Sequence, residues 1–264
     1  MTATGGQGQS FEATIDKERC LGSALTIGMK IASKFSGRGF SYWHFDANAG
    51  CGHNRTCDVP GSPVVFHVAA DACLNGMQRR AFFSDCDQRQ LDELAIRLTP
   101  AWKSSSYLLP RDNEEGLEVF AECIRSSGER PQYAIGSVIV DPNGYWYRNG
   151  NGMGPPISGL LRFAAAFPRI DIVLNLNTRT YRLQRSRGHE VLPPTEVLAS
   201  LNKTNWLVRQ TQHGGDSWLL AVGRNMATGD HRKLGFHKLD SVEGHAVMLK
   251  AEGGQQGDFL DRAV

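Results

Sequence analysis

Four acidic positions carry the chemistry that residue types and spacing allow in this chain. They are Asp46, in the run Asp46-Ala47-Asn48-Ala49-Gly50-Cys51-Gly52; Asp85; Asp112, beside Asn113; and Asp141, in Asp141-Pro142-Asn143-Gly144-Tyr145-Trp146. Glycines at 50 and 52 let the backbone turn tightly and approach a ligand closely. An acid such as Asp85, placed after a strand, can accept hydrogen bonds from ribose hydroxyls. An amine conjugated to an aromatic ring is a poor nucleophile because its lone pair is delocalised. The Asp141 carboxylate and the Pro142 carbonyl could accept its two hydrogens and localise that lone pair. Tyr145 or Trp146 could stack on the ring. Each run also has a plain reading: a Gly-rich turn at 46–52, a helix cap at Asp85, a Pro and Asn-Gly turn at 141–144. The weight lies in where they fall along the fold.

The elements that must position them alternate along the chain. Apolar spacing predicts a helix over residues 16–35, and an aromatic run predicts a buried strand over 40–45, directly before Asp46. Helices are expected over 62–75, 87–98, 115–126, 157–167 and 195–201. Strands are expected over 80–84, 107–109, 134–140 and 170–175, with two late strands near 206–211 and 218–223. This alternation predicts an α/β, Rossmann-like, mostly parallel sheet with helices on both faces. In such sheets ligands bind at the carboxyl ends of the strands, where the strand order reverses. All four acidic positions fall at expected carboxyl ends, in order.

In this setting the residues resemble the class I S-adenosylmethionine-dependent methyltransferases. The run Asp46 to Gly52 is similar to the first motif in the form common among DNA methyltransferases. Asp85 is similar to the ribose-binding acid, and Asp112-Asn113 to the pair beside the adenine. Asp141 to Tyr145 resembles the Asp-Pro-Pro-Tyr motif of amino-methylating enzymes. The resemblance covers about residues 41–175. It implies S-adenosylmethionine as cofactor, held by Asp46, Ala49, Gly50, Gly52, Asp85, Asp112 and Asn113. It also implies methyl transfer to adenine N6 in DNA, with Asp141, Pro142 and Tyr145 at the reacting amine. The chain resembles the three-Cys-motif partner family as well, through Gly61-Ser62-Pro63 and Asp141-Pro142-Asn143-Gly144. Two departures stand out. Asn143 replaces the second proline, with Gly144 inserted before Tyr145, and the first loop carries an extra polar stretch, 53–60. The alternatives are a non-catalytic or partner protein of this fold, and a methyltransferase acting on a small molecule or a protein. A nicotinamide dinucleotide enzyme fits less well, because Asp46 precedes its glycines and the third glycine is missing. Cytosine C5 chemistry would call for a Pro-Cys pair, which the sequence lacks.

Composition bounds these readings. The 264 residues suffice for one compact domain, expected over 16–252, with a disordered lead over 1–15 and a flexible tail over 253–264. The net charge of +2 is too small for binding nucleic acid by overall charge, so such a role needs a local patch. The segment 178–238 is basic and interleaved with aromatics; Arg182, Arg185, Arg187 and Lys203 are the expected contacts to nucleic acid, and DNA is the expected partner. Six cysteines without a repeated Cys-x-x-Cys pair read as free thiols in a cytoplasmic protein, and no metal site is expected. No apolar run approaches the roughly 20 residues needed to span a bilayer.

Overall fold

A computed structural model describes residues 11–55, 57–141, 145–148, 156–213, 216–226, 229 and 231–253. The strands are β1 (Ser41–Asp46), β2 (His53–Asn54), β3 (Val59–Pro60), β4 (Gln78–Ser84), β5 (Ser106–Leu109), β6 (Ile135–Val140), β7 (Ile170–Asn177), β8 (Asn205–His213), β9 (Asp216–Arg224) and β10 (His237–Lys238). The helices are α1 (Phe11–Ala32), α2 (Ser62–Cys73), α3 (Gln88–Arg97), α4 (Pro100–Lys103), α5 (Asn113–Ser126), α6 (Ile157–Ala166), α7 (Thr178–Ser186), α8 (Pro194–Ser200) and α9 (Val242–Glu252).

Eight strands form one sheet in the order β10-β8-β9-β7-β6-β1-β4-β5. The five from β5 to β7 run parallel; β9, β8 and β10 add in antiparallel fashion. The chain builds outward from β1 through β4 to β5, then returns to β1's other side with β6 and β7. The order therefore reverses between β1 and β6, and a crevice opens there at the carboxyl ends. This is the Rossmann-like α/β class that the alternation predicts.

Central parallel strands are covered on both faces, so they read as nearly unbroken apolar runs. All six residues of β1 and all six of β6 are buried. One face packs side chains of α1, α2 and α3; the other packs those of α5, α6, α8 and α9. Residues 11–15, expected as disordered lead, instead begin α1. Buried Thr14 continues the stripe of Leu21, Ala24 and Leu25 at helical spacing, so the sheet-facing side extends further than the apolar pattern marks. Residues 1–10 and 254–264 lie outside the described residues.

Three helices escape the sequence pattern: the single turn α4, and the longer α7 and α9. The basic stretch after β7 winds into α7, capped by Asn177, whose side chain accepts the Thr180 N–H. The helix α9 carries Gly244 in its first turn, a weak helix former. A Cβ there would stand 1.9 Å from the Lys238 carbonyl oxygen, so close packing on β10 requires the glycine.

Two histidines are sealed into the α2 side of the core. His44 stacks on Phe66 at 3.8 Å between ring centres, and its Nδ1 lies 2.9 Å from the Ser137 hydroxyl. His67 stacks on Trp102, with Nε2 3.0 Å from the Ser106 hydroxyl. Burial holds both rings neutral: His44 well below its usual range, with His67 reinforcing the effect, and His67 down to about 3, helped by Arg79. In the unfolded chain each titrates near 6.5. The stability these two rings contribute is complete above pH 6.5 and is lost as pH falls below it, by about 1.4 kcal/mol per pH unit per ring. Buried carboxylates whose pKa is raised, Asp46 and Glu18 among them, contribute in the opposite sense over the same range, so a ring is read by difference. Between pH 7 and 4.5 the unfolding free energy of the wild type should fall more steeply, or rise less, than that of His67→Gln, by about 1.4 kcal/mol per pH unit. The same pH dependence in both proteins would refute it.

Candidate active site

Side chains alternate across a strand, so one face collects every second residue. On the α1 face, Tyr42, Ile139, Val173 and Leu220 belong to the core. Continuing each alternation toward the carboxyl ends gives Asp46, Asp141, Asn175 and Trp218. These four form a row across β1, β6, β7 and β9. The Asn175 side-chain amide donates to Asp141 Oδ1 at 2.7 Å.

The early turns of α1 lie over this row. Lys17 Nζ donates to Asp141 Oδ2 at 2.9 Å, lies 3.8 Å from Glu18 Oε1, and sits 5.2 Å from the centre of the Trp218 ring. Burial alone would lower the Lys17 ammonium, but Asp141, Glu18 and Asp46 outweigh it and raise its pKa. Both Asp141 oxygens thus hold a donor.

Asp46 is fully buried. Its Oδ1 accepts the Asn48 N–H at 3.1 Å, while Oδ2 has no partner among the described residues. Burial pushes its carboxyl up to about 7, against the Ser62 hydroxyl and Asn48 N–H, with Asp141 and Asp85 adding to the rise. The loop beyond Asp46 is tied into the sheet. Ala47 N–H donates to the Ile139 carbonyl and Ala49 N–H to the Ser84 carbonyl, both at 3.0 Å. Gly50 N–H donates to Asp85 Oδ2 at 3.0 Å, and Asp87 N–H to Asp85 Oδ1 at 2.8 Å. Gly50 and Gly52 have φ of +58° and +70°, a region that disfavours any side chain.

The structure thus brings together Asp46, Ala49, Gly50 and Asp85 of the expected cofactor set, with Gly52 closing the same loop. Asp85 serves as the clasp of that loop. The cap of α3 is Asp87, which accepts the Arg89 N–H. Asp112 caps α5, accepting the Glu114 and Glu115 N–H groups, and Asn113 is the first residue of that helix. Pro142 lies outside the described residues. Tyr145 is buried in the opposite core, its ring 5.3 Å from that of Tyr181. To stack on a substrate ring it would have to leave that packing.

The basic candidates separate. Lys203 is a correction. Its ammonium is buried and donates to the Pro168 and Ile170 carbonyls, and burial lowers its pKa to about 8. Ile170 begins β7, so Lys203 holds the end of the sheet away from the crevice. Arg182 donates to the Lys250 and Ala251 carbonyls at the end of α9. Arg185 and Arg187 are exposed on α7 and just after it, on the crevice side of β7.

Lys17, Glu18, Asn175 and Trp218 are the site residues that motif reasoning misses. Their local signal is slight: Lys17 and Glu18 sit within the charged run Asp16-Lys17-Glu18-Arg19 that reads as a solvated helix face, and the other two are single strand residues.

No known family model matches this chain, and no curated protein matches its sequence. Among solved structures it is similar to the Legionella pneumophila protein LPL1258. The likeness has 10% identity and a TM-score of 0.54 over 90% of this chain and 94% of that one. The two share a fold. Human methyltransferase-like protein 13, solved in complex with SAH, aligns at 15% identity over 94% of this chain and 98% of that one, with a TM-score of 0.46. Among the described residues no helix is long and apolar enough to cross a membrane.

Proposed function

We propose that the chain is an S-adenosylmethionine-dependent methyltransferase acting on nucleic acid, with adenine N6 in DNA as its acceptor. One observation carries the reading: Asp46 and Asp141 stand side by side at the point where strand order reverses, with a glycine loop clasped to Asp85. The crevice fits the cofactor's charge. Among the described residues Asp46, Asp141 and Glu18 face one cation, Lys17, and Asp85 adds its charge beside Asp46. A ligand bearing a sulfonium and an ammonium complements that excess. The orphaned oxygen of Asp46 and the side-chain carbonyl of Asn48, both buried, offer acceptors for the ammonium. Asp46, Ala49, Gly50, Gly52, Asp85 and Asn113 would hold the cofactor, which supplies a methyl group activated by its sulfonium.

The chain's own part is positioning and proton handling. Asn175 and Lys17 fix the plane of the Asp141 carboxylate. Asp141 accepts hydrogens of the incoming amine once Lys17 yields its place. That directs the lone pair toward the methyl group, and orientation supplies much of the acceleration. Arg185 and Arg187, exposed at and just after the end of α7, would meet phosphates.

Incubation with radiolabelled S-adenosylmethionine and unmethylated DNA, with RNA in parallel, tests the proposal. Label is expected in DNA. Asp46→Ala should weaken cofactor binding about tenfold, the scale of one lost charged contact. Label in RNA alone would replace the acceptor. Cofactor binding without transfer would favour the non-catalytic alternative, for which the double occupancy of Asp141 already speaks. Absence of cofactor binding would refute the reading.

A further inference from the structure

Glu18 is the least satisfied charged group at the crevice. Its side chain is 12% exposed, and its Oε2 is buried with no partner among the described residues. Lys17 does not account for it, because the ammonium lies 2.9 Å from Asp141 but 3.8 Å from Glu18. A buried carboxylate oxygen left without a partner costs several kcal/mol, so either a proton or a cation belongs there. Two polar groups in the row beneath α1 share this state. The Trp218 indole N–H, beneath Lys17, and the Asn175 side-chain carbonyl are also buried without partners among the described residues.

We propose that Glu18 selects the cofactor by charge, favouring the sulfonium-bearing S-adenosylmethionine over its uncharged-sulfur product, S-adenosylhomocysteine. The inference rests on the cofactor reading above and assigns one residue the discrimination between substrate and product. S-adenosylmethionine carries a net positive charge and the product none. An ionised Glu18 therefore holds the first and loosens its grip after transfer.

Among the described residues the charged groups facing Glu18 are Lys17 on its own helix, Asp141 after β6 and Asp46 at the end of β1. Burial pushes the Glu18 carboxyl up to about 7; Lys17 opposes this, and the two aspartates add to it. A cationic ligand needs the ionised carboxylate. Affinity for S-adenosylmethionine should thus fall as pH drops from 8 to 6, and binding at pH 7 should expel protons.

Calorimetric titration of the full chain with each ligand, in buffers of different ionisation heat, tests this without any acceptor. The wild type should prefer S-adenosylmethionine at pH 8 by about tenfold, the scale of one charge-assisted contact. That ratio should shrink toward pH 6. Glu18→Gln should bring the ratio at pH 8 near one while keeping product affinity within about threefold. An unchanged ratio in Glu18→Gln, or a wild-type ratio independent of pH, would overturn the inference and leave the cofactor reading intact. Failure of both ligands to bind the wild type would overturn the two together.

Discussion

Asp141→Ala is expected to lower methyl transfer to DNA by about 10²-fold or more, the range for loss of a positioned proton acceptor. Cofactor affinity should change by less than about threefold, because the glycine loop, Asp46 and Asp85 keep their mutual bonds. The variant takes from Lys17 its nearest carboxylate and leaves it Glu18 and Asp46, so the fold must be verified by thermal unfolding before rates are compared. Asp141→Asn provides a control of the same shape. It keeps one acceptor but offers Lys17 no charge. Single-turnover transfer with saturating cofactor separates chemistry from binding. Transfer at the wild-type rate in Asp141→Ala would remove Asp141 from the reaction and leave it a structural anchor for α1.

At the far end of the sheet, Asp171→Ala should destabilise the fold by about 3–5 kcal/mol, as expected when one partner of a buried ion pair is removed. Arg224 is fully buried, and its Nη2 lies 2.8 Å from Asp171 Oδ2. Burial pushes the Asp171 carboxyl up, against the pull of Arg224 and Lys203. A Cβ at Gly28 of α1 would stand 2.7 Å from the same oxygen, so the helix lies directly on the pair. Removing the carboxylate strands the guanidinium beneath that helix. For a chain of this size the loss corresponds to a melting temperature lower by roughly 10 °C. Replacing both partners with apolar residues, Asp171→Leu with Arg224→Met, should cost less than Asp171→Ala alone, because no charge is stranded. A single variant that melts within about 2 °C of the wild type would show that the pair contributes little. Cofactor binding below the transition should persist, since the pair lies at the opposite end of β7 from Asn175.

Much of this arrangement is legible in local pattern. The apolar runs at 40–45, 134–140 and 170–175 mark β1, β6 and β7 within one or two residues, because central strands must exclude water on both faces. The acids after them then fall at carboxyl ends by chain direction alone. The helix α7 is hidden because an exposed basic helix has a polar pattern much like that of a loop. The helix α9 is hidden because Gly244, which weakens helix propensity, is demanded by contact with β10.

The sequence by itself determined the order of the main strands and helices, the class of sheet and the glycine loop after Asp46, since each depends on periodicity and turn chemistry within short spans. Tertiary structure alone decided which charges share a site. Lys17 meets Asp141 across 124 residues of chain, and no local pattern records that contact. The same holds for Lys203, which side-chain type marks for phosphate but packing assigns to buried carbonyls, and for Tyr145, drawn into the core beside Tyr181. Burial sets the charge state, hydrogen-bond partners and reach of a side chain, and burial is a property of the assembled fold.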